Sequence, residues 1–88
     1  MPMVLVTYDL NAPSRDYNAL YEKLKNYNGW TRLMDSTWVV FTSYGDATSV
    51  ANDLLTVLDK NDTLFTCIVN KGEYAGWLSE AEWTWLRS

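Results

Sequence analysis

The chain has no histidine, one cysteine and two prolines among its 88 residues. Without histidine it lacks the commonest general base and the usual zinc ligand. Because Cys67 is alone, an intramolecular disulfide is excluded, as is typical of a protein of the reducing cytoplasm. No apolar run is long enough to cross a membrane and no secretory leader is recognisable, so we expect a cytoplasmic protein without membrane contact. Any chemistry must rest on carboxylates, hydroxyls, amides or a bound metal.

Basic residues are also few, since seven Lys and Arg stand against eleven Asp and Glu and leave a net charge of −4. This balance disfavours a strong, sequence-independent grip on nucleic acid, although a local basic patch remains compatible with it. The composition is otherwise that of a folded protein, with one core in a single small domain. Five tryptophans are many for this length, and we expect some of them to face a partner.

Residues 3–11, MVLVTYDLN, open the chain with an apolar run that ends in a carboxylate and an amide. The run is typical of a central strand buried on both faces, with Asp9 at its exit. Later, apolar residues at helical spacing and runs rich in β-branched and aromatic residues predict, in order, a helix, a hairpin, a second helix and a fourth strand. The expected elements are a helix through Tyr17, Leu20, Leu24 and Tyr27 that starts at Ser14 or Asn11 and ends at Asn28 and Gly29; strands 30–33 and 37–42; a helix through Val50, Leu54, Val57 and Leu58 with Asp46 as N-cap; and strand Thr63–Val69.

This order predicts an α+β fold, the ferredoxin-like βαββαβ sandwich. Right-handed crossovers give a four-stranded antiparallel sheet in the order 4-1-3-2 with two helices on one face. We assign residues 1–70 to this domain and residues 71–88 to a C-terminal extension. Within the extension, Ser79 and Glu82 form a capping box, which predicts a short helix from about Ser79, and Leu78 with Trp83 matches a hydrophobic staple. The extension covers either the helix-free face of its own sheet or a second chain.

The predicted topology brings Asp9, Asp35, Ser36 and Asp62 to one rim of the sheet, together with Arg15 at the start of the first helix. Carboxylates with a hydroxyl and no histidine suit a hard divalent ion such as Mg²⁺ or Mn²⁺. Such an ion can activate water and neutralise a phosphate. The competing interpretation makes Asp35 and Asp62 turn residues and Arg15 a solvated cation. Asp9 is least readily explained in that way, because Asn11 and Pro13 already supply the turn.

Three segments carry a resemblance to a known family: MVLVTYDLN, DSTWVVF and GWLSEAEWTWL. The chain resembles small bacterial and phage proteins related to the CRISPR-associated integration-complex endonucleases and to the virulence-associated protein D ribonucleases. The resemblance implies a ferredoxin-like protomer that dimerises, with its C-terminal segment crossing onto the neighbour. It also implies that Asp9 is the metal-linked catalytic residue, contributed once by each subunit, and that Ser36 matches the serine that opens the third strand. In place of the family's basic cluster after the aspartate, this chain has only Arg15 beside Asp16.

Two hypotheses follow. In the first, the protein is a homodimer that binds another protein through its acidic, tryptophan-rich surface (Trp77, Trp83 and Trp85), without efficient turnover, in phage or mobile-element interplay with host defence. In the second, it is a metal-dependent endonuclease on RNA or DNA. Asp9 from each subunit then holds the ion, Ser36 positions the substrate and Arg15 contacts phosphate. The acidic balance favours the first hypothesis and Asp9 favours the second.

Overall fold

The computed structural model of the protein describes residues 1–12, 16–43 and 45–88. Arg15, expected to contact phosphate, and Ser14, one of two expected helix caps, lie outside the described residues. The elements follow the predicted order with a third helix in the extension. They are β1 (Met3–Asp9), α1 (Asn18–Lys25), β2 (Gly29–Met34), β3 (Thr37–Phe41), α2 (Ala47–Leu55), β4 (Thr63–Val69) and α3 (Glu80–Arg87).

The four strands form one antiparallel sheet in the order β2-β3-β1-β4, which is 4-1-3-2 when read from the β4 edge. The α+β architecture is confirmed, and the sheet is compatible with the ferredoxin-like plan. The two central strands are β1 and β3, the most apolar runs of the chain. The hairpin between β2 and β3 turns at Asp35 and Ser36, and its second arm is the more buried, as predicted.

Alternation along the strands separates two apolar layers. Even-numbered residues of β1 and β3, such as Val4, Val6 and Trp38, pack against Leu20 and Leu24 of α1 and against α2. Both helices therefore lie on one face of the sheet. Asp46 caps α2 as predicted, because its carboxylate accepts a hydrogen bond of 2.6 Å from the Ser49 amide. Hydrogen bonds from the backbone amide and the side chain of Ser49 lower the pKa of Asp46.

The opposite face, which we call the helix-free face, carries the odd-numbered residues of the same strands. Met3 and Val39 pack there against Leu86 of α3, with Trp83 and Trp85 around them. Ser79 and Glu82 form the predicted capping box at the start of α3. The extension therefore packs on its own sheet, which was one of the two alternatives.

The expected ends of α1 are wrong. The helix begins at Asn18, where the Asp16 carboxylate accepts a hydrogen bond of 2.9 Å from the Asn18 amide. Asn11 does not cap it, because Tyr17 stands at the N-cap and no side chain accepts a cap hydrogen bond there. The Asn11 side-chain amide donates instead to Asp9 O and Asn61 O. At the other end, Gly29 is the first residue of β2 rather than a left-handed helix cap. Glycine fits there because an added Cβ would lie 2.8 Å from Cδ2 of Phe41.

None of the helices within the described ranges has the length and apolar character needed to cross a membrane.

Candidate functional site

Asp9 lies at the end of β1, opposite Thr63 of β4, and its side chain is exposed. Two residues earlier, Thr7 bonds Thr37 across the helix-free face, with 3.2 Å between their hydroxyl oxygens. Because side chains alternate along a strand, Asp9 belongs to the same face as Thr7. The extension packs around Met3, Leu5 and Val39. Asp9, at the exit of β1, lies outside the part of the face that the extension covers.

Asp62 stands at the same rim, but its carboxylate holds the loops together. One oxygen accepts from the Asn11 amide at 2.7 Å and from the Tyr17 hydroxyl at 2.6 Å. The other accepts from the Asp59 amide at 2.7 Å. Partial burial and the bond to Asp62 raise the pKa of the Tyr17 hydroxyl. These contacts join the exit of β1, the approach to α1 and the entry to β4, which supports the structural interpretation of Asp62.

Ser36 and Asp35 contact β1 through their backbone carbonyls. The Tyr8 amide donates to Ser36 O at 3.1 Å, and the Tyr8 hydroxyl donates to Asp35 O at 3.4 Å. The Arg32 guanidinium also donates to Asp35 O, at 2.6 Å from Nη2. The rim that the sequence predicted therefore exists in the fold, with Asp9, Asp35, Ser36 and Asp62 at the ends of the four strands on one side of the sheet.

A buried pair of polar aromatic groups underlies this rim. The Trp38 indole N–H donates to the Tyr8 hydroxyl at 2.9 Å, and both side chains belong to the core. Burial raises the pKa of Tyr8, so its hydroxyl stays protonated and can donate onward to Asp35 O. The Arg32 guanidinium packs against the two neighbouring rings, with its central carbon 5.0 Å from the centre of the Tyr21 ring and 5.2 Å from that of Trp38. The Tyr8 and Trp38 side chains thus hold the hairpin turn at Asp35 from the core side. The sequence patterns did not predict this hydrogen bond between them.

Few of the described side chains at the rim could bind a divalent ion. Three or more acidic or thiol side chains do not converge on one point anywhere in ranges 1–12, 16–43 and 45–88. Of the rim carboxylates, Asp62 is engaged by backbone amides, whereas Asp9 has Asn11 Nδ2 at 3.4 Å. Asp9 is therefore more available than Asp62 to hold an ion.

The tryptophans of the extension divide into two kinds. Trp85 stacks on Phe41, with ring centroids 4.6 Å apart, and Trp83 stacks on Tyr74 at 6.2 Å. Both rings are partly buried against the sheet. Trp77 is 100% exposed. Of the three predicted partner-binding residues, Trp77 is therefore the one whose whole side chain is available.

Trp77 borders an apolar groove of about 400 Å³ between residues 73–78 and the helix-free face. We call this the tail groove. Its floor comes from Leu5, Val39 and Cys67, while Leu33 and Met34 of β2 form one wall. Met34 is itself 60% exposed. The groove could not be placed from sequence, because it exists only where the extension crosses part of the sheet and leaves the remainder open.

Comparisons with protein-family models, with curated proteins and with solved structures find no match to this chain.

Proposed function

We propose that this chain is a homodimeric protein that works by binding another protein, and that the tail groove is its contact surface. The observation that carries the proposal is the complete exposure of Trp77 beside an apolar groove. Tryptophan is enriched among residues that dominate binding energy, and large exposed apolar side chains that cluster mark interaction sites. The occupant we expect is an aromatic or branched apolar side chain of the partner, held between Trp77 and Met34.

The charge of the protein supports binding over turnover on nucleic acid. Net charge −4 works against a polyanionic substrate, because phosphate neutralisation by Lys and Arg dominates such binding. A setting between phage or mobile elements and host defence rests on the family resemblance alone.

A peptide selection tests this proposal. Peptides from a displayed random library are selected on the parent protein, and their dissociation constants are measured for the parent and for Trp77→Ser. A central aromatic contact contributes about 2 kcal/mol to binding, so its loss in Trp77→Ser should raise the dissociation constant more than tenfold. The matched control is Trp30→Ser on the other face, where Trp30 is 38% exposed, and it should change the affinity less than twofold. The proposal fails if no peptide is selected, or if the selected peptides bind Trp77→Ser as tightly as the parent. Replacing Trp83 or Trp85 would not separate loss of binding from loss of packing, since both rings pack on the chain's own sheet and Trp83 also lines the groove.

A second candidate function is a Mg²⁺- or Mn²⁺-dependent endonuclease, and the exposure of Asp9 on the uncovered part of the helix-free face favours it. Two copies that meet by this part would bring their Asp9 carboxylates together, and Ser36 at the same rim would position the substrate. The test is cleavage of labelled single- and double-stranded RNA and DNA with either metal, by the parent, by Asp9→Asn and, as control, by Glu80→Gln, which changes an exposed carboxylate of α3. Cleavage that is lost in Asp9→Asn alone supports it. An inert parent, or an active Asp9→Asn variant, refutes it.

A further inference from the structure

The sheet has two edges, and β4 forms one of them. All seven residues of β4, Thr63–Val69, pair with β1 on the inner side. On the outer side, none of them has a backbone hydrogen bond to any other part of the described chain. Because alternate N–H and C=O groups of an edge strand point outward, β4 offers an open ladder of donors and acceptors.

The other edge, β2, carries features that oppose strand addition. A register shift between Arg32 and Met34 interrupts its pairing with β3. Arg32 places a charge on the strand, and Lys25 of α1 lies 5.7 Å from the Trp30 ring beside it. Irregular pairing and charged side chains are the usual protections of an edge. The run TLFTCIV of β4 has no charge, no proline and no register shift against β1.

Apolar side chains at the β4 edge are exposed as well. Phe65 is 60% exposed on the helix-free face, and Ile68 is 42% exposed. An uncovered edge with apolar side chains is unusual in a chain that remains single.

We propose that β4 pairs with β4 of a second copy, antiparallel about a two-fold axis at Thr66, and forms a continuous eight-stranded sheet. This inference rests on the proposed homodimer but not on the partner of the tail groove. A second copy fits because an isologous contact needs a self-complementary surface, and β4 is uncharged although each chain carries −4. About this axis Phe65 lies opposite Cys67 of the other copy, and Leu64 lies opposite Ile68.

The pairing has a consequence for the Asp9 rim. Asp9 lies beside Thr63, and in the antiparallel pair Thr63 of one copy faces Val69 of the other. The two Asp9 residues are then offset along the strand direction by about 20 Å, since a strand rises about 3.3 Å per residue and six residues separate the two levels, and the two β4 strands also lie between them. This dimer leaves the Asp9 carboxylates apart and the two tail grooves free, so it supports the binding function and not a shared metal centre.

Mass in solution tests the proposal with two matched variants. Light scattering after gel filtration should give the parent about 20 kDa, twice the chain mass of 10.2 kDa. Phe65→Lys should reduce the mass to that of one chain, because it places like charges at the shared edge. Met34→Lys on β2, an equally exposed apolar position, should leave the dimer intact. A parent that stays monomeric at its highest soluble concentration, or a dimer that both variants dissociate equally, overturns the proposal.

Cross-linking tests the pairing without relying on dissociation. Directly opposed residues in antiparallel strands have Cα atoms 4.5–5.5 Å apart, within disulfide range. With Phe65→Cys, mild oxidation should link the new thiol to Cys67 of the other copy and give a covalent dimer. Cys67 alone and Met34→Cys should not cross-link, because two Cys67 residues lie diagonally at about 7–8 Å. A dimer in which Phe65→Cys fails to cross-link overturns the antiparallel pairing about Thr66. Peptide affinity at the tail groove should be unchanged in Phe65→Lys, which separates this result from the test of Trp77.

Discussion

Removing one buried hydroxyl, by Tyr8→Phe, should destabilise the protein through a donor left without an acceptor. The Tyr8 hydroxyl is the acceptor of the Trp38 indole N–H at 2.9 Å, and Trp38 is fully buried. No buried side-chain polar atom lacks a partner in the described residues of the parent. A buried donor that loses its acceptor costs about 1–3 kcal/mol, a large share of the roughly 5–15 kcal/mol by which domains are stable.

Urea denaturation followed by far-UV circular dichroism at pH 7 measures this cost. For a domain of this size each kcal/mol also lowers the melting temperature by roughly 4–8 °C. The control is Tyr74→Phe, whose hydroxyl donates only to Leu86 O at 3.3 Å in a partly exposed position. A loss in Tyr8→Phe no larger than in Tyr74→Phe would refute the reasoning.

The same variant predicts a difference at alkaline pH. Burial raises the pKa of Tyr8 above its usual 10.0, so the folded state favours the protonated hydroxyl. The corresponding stability is fully present below pH 10 and is lost as the pH rises through the folded-state pKa. The difference in unfolding free energy between the parent and Tyr8→Phe should therefore shrink above pH 10. A constant difference from pH 7 to 11 would contradict the assigned cause.

Three further expectations concern other parts of the fold. Gly29→Ala should lower the free energy of unfolding by about 1–3 kcal/mol, because its Cβ would lie 2.8 Å from the Phe41 ring. Since that ring stacks on Trp85, faster hydrogen exchange in α3 would show that the extension packs less tightly. Ser79→Ala should cost about 1 kcal/mol by breaking the capping box, and α3 should then exchange faster while α2 does not. Burial raises the pKa of Asp53, but hydrogen bonds from Lys23 and Tyr27 outweigh it and lower the pKa below 3.8. The stability that this interaction contributes is present above pH 3.8 and is lost as the pH falls through the folded-state pKa of Asp53. In Asp53→Asn the free energy of unfolding should therefore fall less steeply below pH 3.8 than in the parent. An equally steep fall in both proteins would contradict the prediction.

Local patterns were sufficient where the causes of structure are local. Runs rich in β-branched and aromatic residues identified β3 and β4, Asp46 capped α2 as its position predicted, and Ser79 with Glu82 marked the start of α3. The role of Gly29 was predicted wrongly. A glycine after an asparagine is typical of a helix end, but Gly29 is the first residue of β2. Only the ring of Phe41 on the neighbouring strand explains why glycine is needed there.

Placement at the rim was predictable because strand direction follows from the order of elements. Asp9, Ser36 and Asp62 therefore meet as expected, whereas the use of the Asp62 carboxylate by Asn11, Tyr17 and Asp59 depends on loop conformations with no sequence signal.

By itself the sequence determined the succession of strands and helices, the sheet order and the N-caps of α2 and α3, since these follow from side-chain periodicity and backbone hydrogen bonding within short segments. Only the tertiary structure decided that the extension covers part of one face of its own sheet, that Trp77 stays exposed while Trp83 and Trp85 pack, and that β4 is the unprotected edge. Those outcomes depend on which surfaces distant segments bury against each other, and the free energy of that burial is a property of the assembled layers.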